Sequence, residues 1–217
     1  MKILQISPYM TCDEVPLLNQ CKAGFGYMVY DIAQSLSQEA QVDALLLNYR
    51  YNGFQHGGIN FIPVSASLII KNILLCSNPF IPFKLLWKYR MRMRTFIRIV
   101  YYWILTGYYS KIIENGDYDI VHIHGCLFAD ELLMDVCHRA NQPFVITLHG
   151  LNSFSDKVNL EPAGKRYERD FLKRVVDGDF HITVISTGIK KTILKEFGVD
   201  NCDNITVVCN AFSYSDK

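Results

Sequence analysis

Several features that would place the chain in a specialised class are missing from its sequence. There is no Cys-x-x-Cys pair, and the seven cysteines are an odd number in a chain of 217 residues, too long for a small disulfide scaffold. We therefore expect reduced thiols and a cytoplasmic protein. The formal net charge of +1 gives no argument for nucleic acid, and none is expected as a partner. Met1–Ile6 is typical of a first β-strand, so we expect no secretory signal.

The common nucleotide-binding signatures are also missing. No Walker A pattern occurs, which argues against a P-loop nucleotidase. Gly24 and Gly26 do not complete a dinucleotide fingerprint, because Val29 stands where the third glycine belongs and a long loop separates them from the first strand. A nucleotide-dependent oxidoreductase or epimerase of similar topology is therefore disfavoured. In the basic region after residue 84, the longest uncharged run, Ile99–Ser110, is too short to span a bilayer.

What the sequence does contain is an alternation of strand-like and helix-like segments, with a hydrophobic content of 50%. This alternation predicts an α/β fold with a doubly wound, mostly parallel, Rossmann-like sheet in one domain over residues 1–217. The predicted strands are Lys2–Ser7, Val42–Leu47, Ile59–Val64, Tyr118–Gly125, Pro143–Gly150, Phe180–Ile185 and Ile205–Cys209. Helices are predicted over Gly26–Gln38, Leu127–Ala140, Pro162–Gly178 and Ser186–Gly198, and an apolar, basic region over Leu68–Ile113 is broken by Pro79 and Pro82.

Two of these strands end in the same dipeptide, His-Gly. Tyr118–Gly125 and Pro143–Gly150 are short apolar runs, as expected for parallel strands buried on both faces. Ligands of open α/β sheets bind at the carboxyl ends of such strands, and glycine there allows close approach. His149 is the better candidate for chemistry, because the loop after it carries Gly150, Asn152, Ser153 and Ser155, which suit a polyhydroxyl ligand.

The first His-Gly strand carries a second histidine. His122 and His124 lie two residues apart and therefore point to the same face of the sheet, with Cys126 close behind. This could be half of a metal site, but no second cluster with suitable spacing accompanies it. The other interpretation is buried histidines that bond neighbouring polar groups. We expect no metal.

The segment Gly24–Gly26 precedes the first predicted helix. Backbone amides at a helix N-terminus, together with the helix dipole, bind phosphate, and glycines let the phosphate come close. The alternative is a turn that requires positive φ.

A basic and aromatic stretch, Lys84–Lys111, is the third feature with functional meaning. Its cations and rings suit a helix that lies on an anionic membrane surface. The same composition also fits a long helix whose apolar face joins the core while its arginines are solvated.

Taken together, these segments resemble the N-terminal domain of a retaining family 4 glycosyltransferase of the GT-B fold, over essentially the whole chain. The resemblance rests on the order and spacing of the first strand, Gly24–Gly26, the two His-Gly strands, Ile182–Ser186 and Ile205–Phe212. Two departures are Cys209 and Ala211, which replace the usual proline and glycine around Asn210, and the Gly24-x-Gly26 spacing of the glycine pair.

The resemblance implies an enzyme that transfers a sugar from a nucleotide-sugar to a glycan or lipid-linked acceptor with retention, as in cell-surface polysaccharide synthesis. No cofactor beyond the donor is implied. His149 would contact the donor sugar, Gly24 and Gly26 amides the donor phosphate, and His124 and Asn152 the acceptor side. The family's donor-binding C-terminal domain does not follow within these residues, so we expect a fragment that is inactive alone. The alternative is a non-catalytic, membrane-associated nucleotide- or sugar-binding module.

Overall fold

A computed structural model describes residues 1–154 and 161–209, which are built around one β-sheet. Its strands are β1 (Lys2–Ser7), β2 (Gln41–Leu46), β3 (Phe54–His56), β4 (Ile59–Phe61), β5 (Ile120–His124), β6 (Phe144–Leu148), β7 (Ile182–Val184) and β8 (Ile205–Val207). They lie in the order β3-β4-β2-β1-β5-β6-β7-β8. Every neighbouring pair is parallel except β3 and β4. The predicted doubly wound, mostly parallel fold is confirmed.

The central strands are buried because helices cover both faces of a parallel sheet. Leu4 and Ile6 of β1 are fully buried, as are Val121 of β5 and Ile146 of β6. The helices are α1 (Gly24–Leu36), α2 (Ala66–Lys71), α3 (Phe80–Tyr89), α4 (Met93–Asn115), α5 (Phe128–Arg139), α6 (Pro162–Asp177) and α7 (Thr187–Phe197). These continuous apolar strands therefore fix the sheet as the centre of the core.

The ends of α6 and α7 follow the predicted capping signals. The Ser186 hydroxyl accepts the Ile189 amide at 3.2 Å and so caps α7. Gly178 and Gly198 end the two helices with φ of 99° and 66°, values that favour glycine.

The hairpin β3–β4 was not anticipated. Gly57 and Gly58 have φ of 58° and 79°, which lets two residues reverse the chain between antiparallel strands. The strand predicted to run to Val64 ends at Phe61, because Pro63 has no amide to give to a neighbouring strand. β3 and β8, of three residues each, are the two edges of the described sheet.

The region Leu68–Ile113 resolves into three helices and a short 3-10 turn at Ile73–Leu75. Pro79 precedes α3, but Pro82 lies within its first turn instead of breaking it, because an amide there would have no acceptor inside the helix. The middle of α4, residues 105–110, is buried, including Leu105 and Tyr109. Within the described ranges, no helix combines the length and apolar content needed to cross a bilayer.

Candidate active site

A cleft opens where the direction of the chain across the sheet changes. β1 lies between β2 and β5, so the connections after β1 and β5 diverge and leave a crevice at the carboxyl edge. The cavity there has a volume of about 460 Å³. Its walls include Pro8 and Tyr9 after β1, Gly125 to Leu127 after β5, His149, Gly150 and Asn152 after β6, and Phe25 and Met28 of α1. The loop after β2 and the helices α4 and α6 supply the other lining residues. We refer to it as the His149 cleft.

His149 lies at the mouth of the sheet, directly after β6, and is partly buried. Its Nε2 lies 3.0 Å from Nδ1 of His124, and its Nδ1 lies 2.9 Å from the sulfur of Met28. The ring meets Phe25 edge-on, with 5.0 Å between centroids. Because a thioether is a weak acceptor, the Met28 contact is the one that a bound ligand would replace most easily.

His149 is one end of a row of polar groups on a single face of the sheet. The rings of His122 and His124 on β5 have centroids 4.0 Å apart. His122 Nε2 lies 2.6 Å from the Thr147 hydroxyl of β6, which in turn contacts the Thr183 hydroxyl of β7 at 2.5 Å. The row therefore spans three adjacent strands and ties the candidate site to the rigid sheet.

All three imidazoles of the row are neutral at pH 7. Burial lowers the pKa of His149 to about 4 and, with a smaller contribution from the charge of His149, that of His122 to about 4. The pKa of His124 is lowered well below its ordinary value, first by burial and then by His122 and His149. At neutral pH, His149 is therefore a hydrogen-bonding group and not a cationic acid.

The predicted glycine segment forms the first turn of α1 instead of preceding the helix. Gly24 is exposed, and a Cβ there would meet nothing within 4 Å. Gly26 is buried, and a Cβ there would lie 2.1 Å from the Thr11 hydroxyl, so glycine is required for close packing against the loop after β1. The Gly26 amide donates to the Ala23 carbonyl at 2.9 Å. The first-turn amides left for a ligand are those of Gly24 and Phe25.

These positions refine the sequence expectations. The predicted site residues His149, Gly150 and Asn152 line the cleft. Phe25, which lies between Gly24 and Gly26, lines it as well. His124, at 1% exposure, lies behind His149 and contacts the cleft through it. Ser155 and Asn210–Phe212 lie outside the described residues.

Glu168 of α6 is a site residue that the sequence analysis missed. Its carboxylate is 1% exposed and accepts the backbone amide of Asn152 at 2.9 Å and that of Ser153. It also accepts the side-chain amide of Asn152, which was expected to face the ligand, at 3.3 Å. Glu168 thus anchors the loop after β6. The sequence signal for this residue is its helical spacing: Glu168 falls on the same face of α6 as the apolar residues Phe171, Leu172 and Val175, which predicts a buried carboxylate.

Arg98 of α4 is the second missed residue. Its exposed guanidinium lines the His149 cleft and also an adjoining cavity of about 130 Å³ that contains Thr95 and Tyr167. The two cavities share Arg98, Tyr102, Cys126 and Leu127, so the cleft continues towards the first turn of α4. An arginine within the stretch considered for membrane contact is therefore placed to bind an anionic group in the cleft.

Comparison with known proteins gives the family of the chain and a structure of similar fold. The family model described as Glycosyltransferase Family 4 matches residues 24–215. A solved sucrose-phosphate synthase from Thermosynechococcus elongatus has a similar fold, with a TM-score of 0.54 and 12% sequence identity. The match covers 96% of this chain and 48% of that chain, so these residues span about half of its length. No curated protein sequence gives a match.

Proposed function

Because the chain belongs to glycosyltransferase family 4, we propose that it is the acceptor-side half of a retaining enzyme that transfers a sugar from a nucleotide-sugar donor. The acceptor is a glycan or a lipid-linked sugar, and the pathway is cell-surface polysaccharide synthesis. The observation that carries the proposal is the His149 cleft, which brings His149, Gly150 and the first turn of α1 to one carboxyl edge of the sheet.

Each group has a role that its chemistry supports. In this proposal the first-turn amides of Gly24 and Phe25 bind the donor phosphates, assisted by the positive end of the α1 dipole. Neutral His149 hydrogen-bonds the transferred sugar, and Gly150 allows close approach to the loop after β6. The leaving phosphate gains charge during transfer, so prepositioned donors at this point lower the barrier.

A second lobe is needed to complete the donor site. The described cleft is open, and the chain spans 48% of the length of the sucrose-phosphate synthase to which it is similar. A nucleotide-binding lobe over the carboxyl edge would exclude water from the reacting sugar. We accordingly expect the 217-residue chain to be inactive without such a lobe.

The transfer reaction itself is tested with the complete polypeptide and a panel of nucleotide-sugars and acceptors. We expect one donor to be consumed, and NMR of the product to show the same anomeric configuration as in the donor. Transfer should proceed without any added divalent metal. An inverted product would contradict the retaining mechanism. Ligand binding without turnover of any donor would support a non-catalytic binding module instead.

A lipid-linked acceptor is favoured by a group of exposed apolar side chains, here called the rim, on the helical segments that include α4, a helix that also lines the cleft. The rim comprises the exposed side chains of Ile70, Leu74, Phe80, Phe83, Trp87, Met93 and Ile97 on α2, α3, α4 and the turn at Ile73–Leu75. Leu74 is 95% exposed and Trp87 81%. Large apolar patches of this kind mark interaction surfaces. Ile97 and Arg98 are successive residues of α4, so the same helix supplies one member of the rim and the cation of the cleft.

The rim differs from the stretch predicted for membrane contact. Residues 99–111 are largely buried against the core, in agreement with the alternative interpretation of a core helix, and Trp103 donates to the Ser77 carbonyl at 2.8 Å. The exposed apolar side chains instead include several that precede residue 84. Exposed Lys84, Arg90 and Arg94 lie in the same segment. Apolar anchors beside cations suit the surface of an anionic membrane.

Vesicle flotation measures this contact directly. We expect the chain to float with vesicles that contain anionic lipid, and more weakly at high salt. Replacing both aromatic anchors, Phe80→Ser and Trp87→Ser, should weaken binding at least about tenfold, because burying each ring contributes about 1.5–3 kcal/mol. Val208→Ser, at an apolar side chain 53% exposed near the β8 edge, is the matched control. No binding to anionic vesicles at low salt would dismiss membrane contact.

A further inference from the structure

Three metal-ligating side chains converge outside the His149 cleft. Cys12 and Glu14 lie in the loop after β1, and His56 is the last residue of β3. The Cys12 sulfur is 3.5 Å from His56 Nε2, which is 3.4 Å from a Glu14 carboxylate oxygen. All three ligand atoms lie within 4.8 Å of one another. The thiol is buried, the imidazole is partly buried, and the carboxylate is exposed.

These separations match the edges of a tetrahedral zinc site. With bonds of about 2.3 Å to sulfur and about 2.0–2.1 Å to nitrogen and oxygen, tetrahedral angles place sulfur and nitrogen about 3.5 Å apart, and nitrogen and oxygen about 3.3 Å apart. The sulfur–nitrogen and nitrogen–oxygen distances in the structure agree with both values. The exposed Glu14 side chain can adjust the remaining edge without disturbing the core.

We propose that Cys12, Glu14 and His56 bind one Zn²⁺ ion, with water in the fourth position. Sulfur and imidazole ligands together favour zinc over magnesium or calcium, which prefer oxygen. The Cys12 thiol loses its proton to solvent as the metal binds, and the thiolate and the Glu14 carboxylate balance the charge of the ion.

Such a site would have a structural consequence for the start of α1. The loop that carries Cys12 also carries Thr11, whose hydroxyl donates to the Cys21 carbonyl and whose side chain packs against Gly26. A zinc ion would join this loop to the β3–β4 hairpin through His56. It would thus hold in place the segment that leads into the first turn of α1, without taking part in sugar transfer.

The test uses the purified 217-residue chain after removal of metals with a chelator. Calorimetric titration with Zn²⁺ should show one equivalent bound per chain with release of protons. Co²⁺, a spectroscopic substitute for zinc, should give the intense visible absorption of tetrahedral coordination and a near-ultraviolet thiolate charge-transfer band. Cys12→Ser should abolish that band and weaken zinc binding. Cys21→Ser, in the same loop but outside the cluster, should leave both unchanged.

Glu14→Gln provides a second variant if Cys12→Ser fails to fold, because the Glu14 side chain is 81% exposed. Its zinc affinity should fall by more than about tenfold, the lower end of what loss of an outer-shell partner costs. Absence of stoichiometric zinc binding would overturn the proposal, as would a zinc affinity of folded Cys12→Ser or Glu14→Gln equal to that of the wild-type chain. Neither outcome bears on sugar transfer, which is measured separately.

Discussion

His149→Ala should lower the kcat/KM of the complete transferase by about 100- to 1000-fold, the loss caused by removing one prepositioned donor from a reacting centre. His149 is the polar side chain that β6 delivers to the cleft, and its ring is fixed by His124 on one side and Phe25 on the other. Steady-state transfer assays with the identified donor and acceptor measure the effect. Since burial lowers the pKa of His149 to about 4, no inflection from this residue is expected between pH 6 and 8.

Two further variants separate chemistry from folding. Alanine at position 149 leaves Nδ1 of the buried His124 without its partner, whereas His149→Gln supplies an amide that can replace this bond. The Gln variant should therefore regain stability while activity stays low. His181→Ala, at an exposed histidine before β7, should be fully active. Turnover of His149→Ala within a few-fold of the wild type would remove this residue from the site.

Glu168→Ala should reduce the free energy of unfolding by about 3 kcal/mol, because it leaves the amides of Asn152 and Ser153 without an acceptor and each such loss costs about 1–3 kcal/mol. Relief from burying the charge offsets part of this cost. Urea unfolding of the 217-residue chain measures the change as a lower midpoint with an unchanged slope. In the complete enzyme, loosening of the loop after β6 should also raise the KM for the sugar donor.

The controls for Glu168 follow from its bonding. Glu168→Gln keeps one carbonyl acceptor and should lose about half as much stability as the alanine variant. Glu196→Ala, at an exposed carboxylate on α7, should change the free energy of unfolding by no more than about 0.5 kcal/mol. If Glu168→Ala also changes the free energy of unfolding by no more than about 0.5 kcal/mol, the buried carboxylate does not hold the loop.

The parallel sheet could be predicted from the sequence because its strands are continuous apolar runs ending in turn residues. The helix ends at Gly178 and Gly198 could also be predicted, because glycine readily adopts the left-handed backbone conformation that ends a helix. The β3–β4 hairpin was not, because Phe54–His56 is too short to show a period of its own. The break expected at Pro82 failed for a related reason: the effect of proline depends on its position within the helix turn.

The candidate site was only partly predictable. His149, Gly150 and Asn152 lie where the end of a parallel strand should place them. Glu168 and Arg98 reach the cleft from α6 and α4, and helical periodicity shows which residues of a helix are buried but not which cleft they approach. The contact of His124 with His149 joins two strands across 25 residues, so it follows from strand order and not from spacing. Whether these residues bind the donor and acceptor remains the prediction to be tested.

The short edge strands of the described sheet have a consequence for behaviour at high protein concentration. An edge strand presents unpaired backbone groups to other molecules, and long flat edge strands promote pairing between molecules. Here β3 and β8 present three residues each, and the β3–β4 hairpin forms one of the two edges of the described sheet. A second chain could therefore gain few ladder bonds at either side, which disfavours self-association through strand addition.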